Sequence, residues 1–361
     1  MIPPRRLQRL VQVAASPQCY KAYLPCRQYS SNALDFETLR TSMLSRPEKL
    51  TYDILSPTPT HLLNISLSDF LPPSCHPPIF NPSSALSSGL SPSKATPPQP
   101  LPEAHHLVYF PPQLPASGLT PDGTDPFHSP GAPFDRRMWA SGSISFNKPL
   151  LVNRQQVVCR ESLGDVTVKG RPGEEKIFVD VWRRYGEDDG FVAGEEAITE
   201  RRSLVFLRRR SAEEAREVAR EGVRDGRVVK APHKPTFNHT LLPTSTLLFH
   251  YSALTFNAHQ IHLNPTYCRE VEGHRNLLFH GPLSLTFMVS VLRSQLGKDE
   301  RVKKIDYRNL APLYAEEPLT VCVRQNGNGE DMADGHKKWD VWVEDSRGGL
   351  CVKGSAVSNS A

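Results

Sequence analysis

From Arg136 onward, apolar and polar residues alternate in short runs, the period of strands buried on one face. Ser141–Phe146, Gln155–Arg160, Lys176–Arg183 and Leu204–Leu207 predict a first group of strands. Leu241–Ser252, Lys303–Tyr307, Leu319–Arg324, Lys338–Val343 and Leu350–Val357 predict a second. Between the groups, Ser211–Gly226 is rich in Glu, Arg and Ala and poor in apolar residues, the pattern of a solvated linker helix. One segment differs from all of these. After Gly281-Pro282, the residues Leu283, Leu285, Phe287, Met288, Val289, Val291, Leu292 and Leu296 surround nearly the whole circumference of a helix. Such a helix has no polar face to give to water and must be buried along most of its length. Pro282 suits its first turn. A buried helix followed by antiparallel strands predicts an α+β chain in which a sheet wraps around a helix, the hotdog arrangement.

The two strand groups echo each other. Ser143-Ile144-Ser145-Phe146 returns 161 positions later as Lys304-Ile305-Asp306-Tyr307, and Asp180-Val181-Trp182 returns after 160 as Asp340-Val341-Trp342. The echo predicts a duplication, hence a double hotdog with two sheets of similar topology.

Ahead of the strands the texture changes. Nineteen of the 33 prolines lie between Pro57 and Pro133. Residues 35–70 read as partly helical. Residues 71–104 are rich in Pro and Ser, carry little charge and few large apolar residues, and predict a disordered insertion. Residues 105–135 keep the prolines but add Tyr109, Phe110, Phe127 and Phe134, as an ordered irregular loop would. The net charge of +5 is also local: Arg5, Arg6, Arg9, Lys21 and Arg27 stand in a first stretch without acid, and the remainder balances 38 basic against 38 acidic residues. That balance argues against nucleic-acid binding, which needs clustered positive charge. No run of 18 apolar residues predicts a membrane span. The basic, acid-free start reads as a mitochondrial presequence over residues 1–33 and hence a matrix protein. The remainder divides into a degenerate first hotdog (34–210), a linker helix (211–235) and a catalytic hotdog (236–361). The seven cysteines are odd in number and lack CxxC spacing, which argues against a disulfide framework and a zinc ribbon.

The chemistry is concentrated in Tyr251-Ser252-Ala253-Leu254-Thr255-Phe256-Asn257-Ala258-His259-Gln260-Ile261-His262 and in the later His280-Gly281-Pro282-Leu283. With Arg136-Arg137-Met138-Trp139-Ala140, these strings resemble the MaoC-like family of (R)-specific enoyl-thioester hydratases and dehydratases. Within it they resemble the mitochondrial 3-hydroxyacyl-thioester dehydratase type 2 group and the related mesaconyl-CoA hydratases. The family motif ends in a His five positions after an acid. Here His262 holds the His position and Asn257 the acid position, while Gln260 replaces a proline.

The resemblance implies a hydro-lyase that needs no metal or cofactor, acting on acyl-CoA or acyl-carrier-protein thioesters, with acyl carrier protein as a possible partner. His262 would be the acid/base, since imidazole titrates near neutral pH. Asn257, which cannot take up a proton, would orient the hydroxyl or water. The Gly281 N–H, at the positive end of the buried helix, would stabilise the enolate oxygen. Tyr251, Ser252 and His280 would line the substrate tunnel, and His259 would hold the loop in place. Arg136 and Arg137 would either meet carrier phosphates or serve structure. Two alternatives stand beside the dehydratase: a hydratase of a short dicarboxylyl-CoA, which would need a cation at the acyl end, and a non-catalytic acyl-thioester-binding protein.

Overall fold

A computed structural model describes residues 35–77, 98–187, 194–221, 228–326 and 335–360. The expected presequence and the middle of the Pro/Ser-rich insertion lie outside these residues. Ten strands form one antiparallel sheet. They are β1 (Lys49–Ile54), β2 (Arg136–Phe146), β3 (Gln156–Lys169), β4 (Lys176–Glu187), β5 (Ile198–Leu207), β6 (Phe237–Leu241), β7 (Glu300–Asn309), β8 (Leu319–Asn326), β9 (His336–Glu344) and β10 (Leu350–Ser360). From one edge the order is β1-β3-β4-β5-β2, and from the other it is β6-β8-β9-β10-β7. The two halves therefore repeat one topology and join where β2 pairs with β7. At that junction Ile144 faces Ile305, the same pair that the 161-residue echo makes equivalent. A residue that pairs with its own counterpart marks a local two-fold axis, so the duplication meets in a continuous sheet rather than in two separate ones.

The helix predicted from its all-round apolar pattern is Gly281–Arg293, with every residue from Leu283 to Leu292 buried. It packs on β7, β8 and β9 of the second half. At Gly354 of β10 any Cβ would lie 2.9 Å from the Met288 methyl and 2.9 Å from the Asp306 carbonyl, so helix and sheet approach to the limit that glycine allows. The first half is built differently in the corresponding place. Apart from the two-residue strand Gln99–Pro100, which pairs with Leu151–Val152, the regular elements of residues 98–135 are short 3-10 turns, among them His105–Val108, whose Leu107 and Val108, with Tyr109 and Phe110, enter the core.

Three expectations are corrected. The predicted strand Leu241–Ser252 is strand only up to Leu241, and Ser245–Leu254 is a helix. Thr244 caps it, its hydroxyl accepting the Leu247 N–H at 3.2 Å. Leu247, Leu248 and Tyr251 form its buried face, a helical spacing rather than an alternating one. The insertion expected to be disordered over 71–104 is ordered at both ends: Leu71, Cys75, Leu101 and Ala104 are buried in the core, and the Leu101 N–H reaches the Leu150 carbonyl. The linker segment is helical over Ala212–Glu221 and is not wholly solvated. Ala215 is buried, because Gly273 brings the turn Cys268–Glu272 against this helix.

Candidate active site

The segment between the helix Ser245–Leu254 and the buried helix Gly281–Arg293 carries the motif residues. Asn257 begins a tight loop: its N–H donates to the Ser252 carbonyl (2.8 Å), and its Oδ1 accepts the His259 N–H (3.1 Å). Its amide Nδ2 makes no hydrogen bond among the described residues and remains a free donor. A single 3-10 turn, Gln260–His262, follows. Leu278 fastens this turn at two points. Its N–H donates to the Ile261 carbonyl (2.9 Å), and its carbonyl accepts Nδ1–H of His262 (2.8 Å). A carbonyl can only accept, so Nδ1 carries the proton and Nε2 keeps its lone pair.

His262 is 8 % exposed. Burial above all, opposed by the Leu278 hydrogen bond and assisted by the neighbouring Arg137 charge, brings its pKa down to about 4. Burial likewise holds His259 and His280 well below the ordinary histidine range. Three neutral imidazoles are thereby packed together. His262 stacks on His280 with centroids 3.7 Å apart, and His259 stands edge-on to His262 at 5.4 Å. Unfolded, these rings take up protons near pH 6.5; folded, only well below it. Stability is therefore present above pH 6.5 and is lost as pH falls. His262 alone accounts for about 2 kcal/mol between pH 6.5 and 5. The melting temperature is expected to drop clearly between pH 7.5 and 5, and an unchanged value would contradict the burial of neutral histidines.

His262, Asn257 and Gly281 line one cavity of about 410 Å³, together with His259, Trp139 and Arg137. Gly281 opens its helix, so its N–H is one of those that no helical carbonyl can reach. The cavity wall thus offers a neutral basic nitrogen, a free amide donor and a backbone donor at a helix N-terminus. The residues expected to line a tunnel are arranged otherwise. His280 is fully buried, its Nε2 shares a hydrogen bond with the Ser252 hydroxyl (2.9 Å), and Tyr251 packs against it. Tyr251, Ser252 and His280 form the layer beneath His262, not the cavity lining. Arg136 is not available to a phosphate either, because it forms a buried ion pair with Glu272 at 2.8 Å.

A second cavity, of about 150 Å³, shares Arg137, Trp139, Leu204, Asn257 and Pro282 with the first and extends into the first half. Charged side chains on its wall are mostly matched. Lys49 pairs with Asp125, Arg183 and His128 with Glu161, and Arg202 with Glu200. Opposite charge and hydrogen bonds hold Glu161 and Glu200 well below the usual carboxylate range despite their burial. Arg137 forms no ion pair among the described residues. Sequence reading missed this charged wall, since its members are scattered over residues 49–202 and adopt no motif spacing.

Comparison with known proteins identifies relatives of the chain. Residues 104–315 match the model of the family described as hydroxyacyl-thioester dehydratase type 2. The mitochondrial hydroxyacyl-thioester dehydratase type 2 of Schizosaccharomyces pombe is 29 % identical over 76 % of this chain and 90 % of its own length. The mesaconyl-C(4)-CoA hydratase of Chloroflexus aurantiacus is 29 % identical over 69 % of this chain and 84 % of its own. Among solved structures, a MaoC-like dehydratase from Phytophthora capsici superposes with a TM-score of 0.58 at 15 % identity, covering 89 % of this chain and 99 % of that one. The hotdog fold is thereby shown. With a family match across more than half its length and hydro-lyases as relatives, the chain belongs to the hydroxyacyl-thioester dehydratase type 2 family and is a hydro-lyase.

Proposed function

We propose that the protein catalyses reversible syn dehydration of (3R)-3-hydroxyacyl thioesters to trans-2-enoyl thioesters, in mitochondrial fatty-acid synthesis. The observation that carries this reading is the common cavity of His262, Asn257 and Gly281. In the dehydration direction, Nε2 of His262 takes the C2 proton as the C2–H electron pair moves into the thioester, and the Gly281 N–H receives the developing enolate oxygen. The same imidazolium then protonates the C3 hydroxyl, which leaves as water while Asn257 Nδ2 holds its oxygen. One proton returns from one nitrogen to one face, which gives the syn outcome. Burial favours this economy, because a neutral His262 is ready as base across the physiological range.

The organelle is supported by the basic, acid-free composition of residues 1–34 and by relatives in two yeasts whose names include "mitochondrial". In that setting the matrix is the location, and acyl carrier protein carries the substrate. The test is direct: the purified chain should consume the enoyl-thioester absorbance of crotonyl-CoA and form the water adduct. Absence of turnover with crotonyl-CoA, with longer enoyl-CoA and with the enoyl carrier protein would sink the reading.

A second reading of the substrate is favoured by Arg137, a guanidinium without an ion pair among the described residues, on the wall shared by the two cavities. In this reading the acyl group is short and ends in a carboxylate, as in the C4 diacid thioester named for the bacterial relative. The quantity that separates the readings is the ratio of kcat/KM for a carboxylated over an uncharged short enoyl thioester.

A further inference from the structure

The loop that carries Asn257 and His262 does not hold its shape alone. Phe256 has φ +49°, a conformation that strains a bulky residue. Its ring is 64 % exposed, so burial of that ring does not compensate for the strain. The contact that closes on the loop comes from the other half of the chain, from the turn Thr120–Thr124. The Asp122 carbonyl accepts the Gln260 N–H at 2.8 Å. Asp122 Oδ1 accepts hydrogen bonds from the Thr120 hydroxyl, the Thr124 hydroxyl and the Thr124 N–H. That leaves Oδ2 facing His259 Nε2 at 3.4 Å, with both side chains almost wholly buried. Gly123 completes the contact. It has φ +86°, and a Cβ on it would lie 2.0 Å from the Ala258 carbonyl oxygen, so the turn sits directly on the loop backbone.

We propose that Asp122 is a positioning residue of the active site, supplied by the first half of the chain. An acceptor beside Nε2 selects the His259 tautomer that carries its proton there. The His259 ring stands edge-on to His262, and the His259 N–H fixes the Asn257 amide. Asp122 thus sets, through His259 and Gln260, the orientation of both groups that handle water. The duplicated half contributes to the geometry of the chemistry as well as to the wall. This inference rests on the hydro-lyase reading of the same site.

The test compares wild type with Asp122→Asn in the full chain. The amide oxygen can keep the three donors of the turn, and its NH₂ then points at His259 Nε2 and drives the imidazole proton to Nδ1. The expected result is a kcat for crotonyl-CoA lower by about tenfold to hundredfold, the scale of a misaligned reacting group. KM should stay within about twofold and the melting temperature close to wild type. Imidazole ¹⁵N spectra should show the His259 proton moved from Nε2 to Nδ1. A carboxylate with only a structural role would lower the melting temperature while the folded fraction keeps wild-type kcat and the His259 tautomer; that result overturns the proposal. If Asp122→Asn does not fold, Gly123→Ala retains the carboxylate but lifts the turn off Ala258, and a wild-type kcat in folded Gly123→Ala would likewise overturn it. Wild-type protein inert toward every enoyl thioester would sink the assigned reaction, and the His259 tautomer in the two proteins would still decide the role of Asp122.

Discussion

His262→Ala is expected to lower kcat for enoyl-thioester hydration by about 10³–10⁴-fold, with KM changed little. The size follows from the absence of a carboxylate at position 257. Where an acid and a histidine share the two proton transfers, removing one leaves the other to act; here Asn257 cannot bind a proton at neutral pH, so both transfers depend on one nitrogen. Asn257→Ala removes a hydrogen bond but no proton carrier, and its loss should be about tenfold to hundredfold, clearly smaller than that of His262→Ala. The order of the two variants is the decisive feature. Equal losses would show that the amide and imidazole act as an inseparable unit, and a larger loss at Asn257 would remove His262 from its assigned role. The pH profile provides a second reading of the same residue. With its pKa held down to about 4, His262 stays unprotonated at pH 6, where an exposed histidine would be largely charged. Activity should therefore be flat from neutrality to about pH 5 and fall towards 4 as the base is protonated, to the extent that the acid-labile fold survives. An acid limb centred near 6.5 would mean that the base is exposed in the working enzyme.

Much of this architecture is legible in the chain because it rests on local periodicity. The buried helix is read from an apolar residue at almost every position between Leu283 and Leu292, and the structure buries them all. The duplication is visible in seven matched pairs of residues, of which Ile144 and Ile305 meet face to face at the sheet centre. Strand ends are less visible. β5 begins at Ile198, six residues before the predicted Leu204, because Thr199-Glu200-Arg201-Arg202 looks like a charged loop. Two of these residues are in fact interior: Glu200 is buried against Tyr185 and pairs with Arg202. Such charges pass as solvated residues until their partners, distant in sequence, are known. The same limit hid Asp122, and it left Arg137, which the sequence does single out, without a defined role. His262, Asn257 and Gly281 belong to strings of recognisable spacing, whereas Asp122 acts across 137 positions on His259, and no pattern in the chain links the two.

That hidden half of the site bears most directly on the choice of substrate. In the cavity that continues into the first half, Lys49, Arg183 and Arg202 each have a carboxylate partner, and Arg137 has none among the described residues. Burial disfavours its charge, and the nearby carboxylates Asp122 and Asp125 only partly offset that cost. A substrate carboxylate would complete the pair, with two parallel N–H···O bonds available from the planar guanidinium. In the proposed site Asn257 faces the reacting end of the thioester, and Arg137 shares its wall, which favours an acyl carboxylate over the pantetheine phosphates as its partner. Arg137→Met keeps the length of the stem and removes the charge. For a short enoyl thioester ending in a carboxylate, kcat/KM should fall by about 10²–10³-fold, the 3–4 kcal/mol typical of leaving one member of a buried charge pair alone. The uncharged crotonyl thioester, which brings no charge to be stranded, should lose far less, so the ratio between the two substrates collapses. Equal losses would instead assign Arg137 to the transition state that both substrates share, as a second stabiliser of the enolate, and would return the substrate to an uncharged acyl chain.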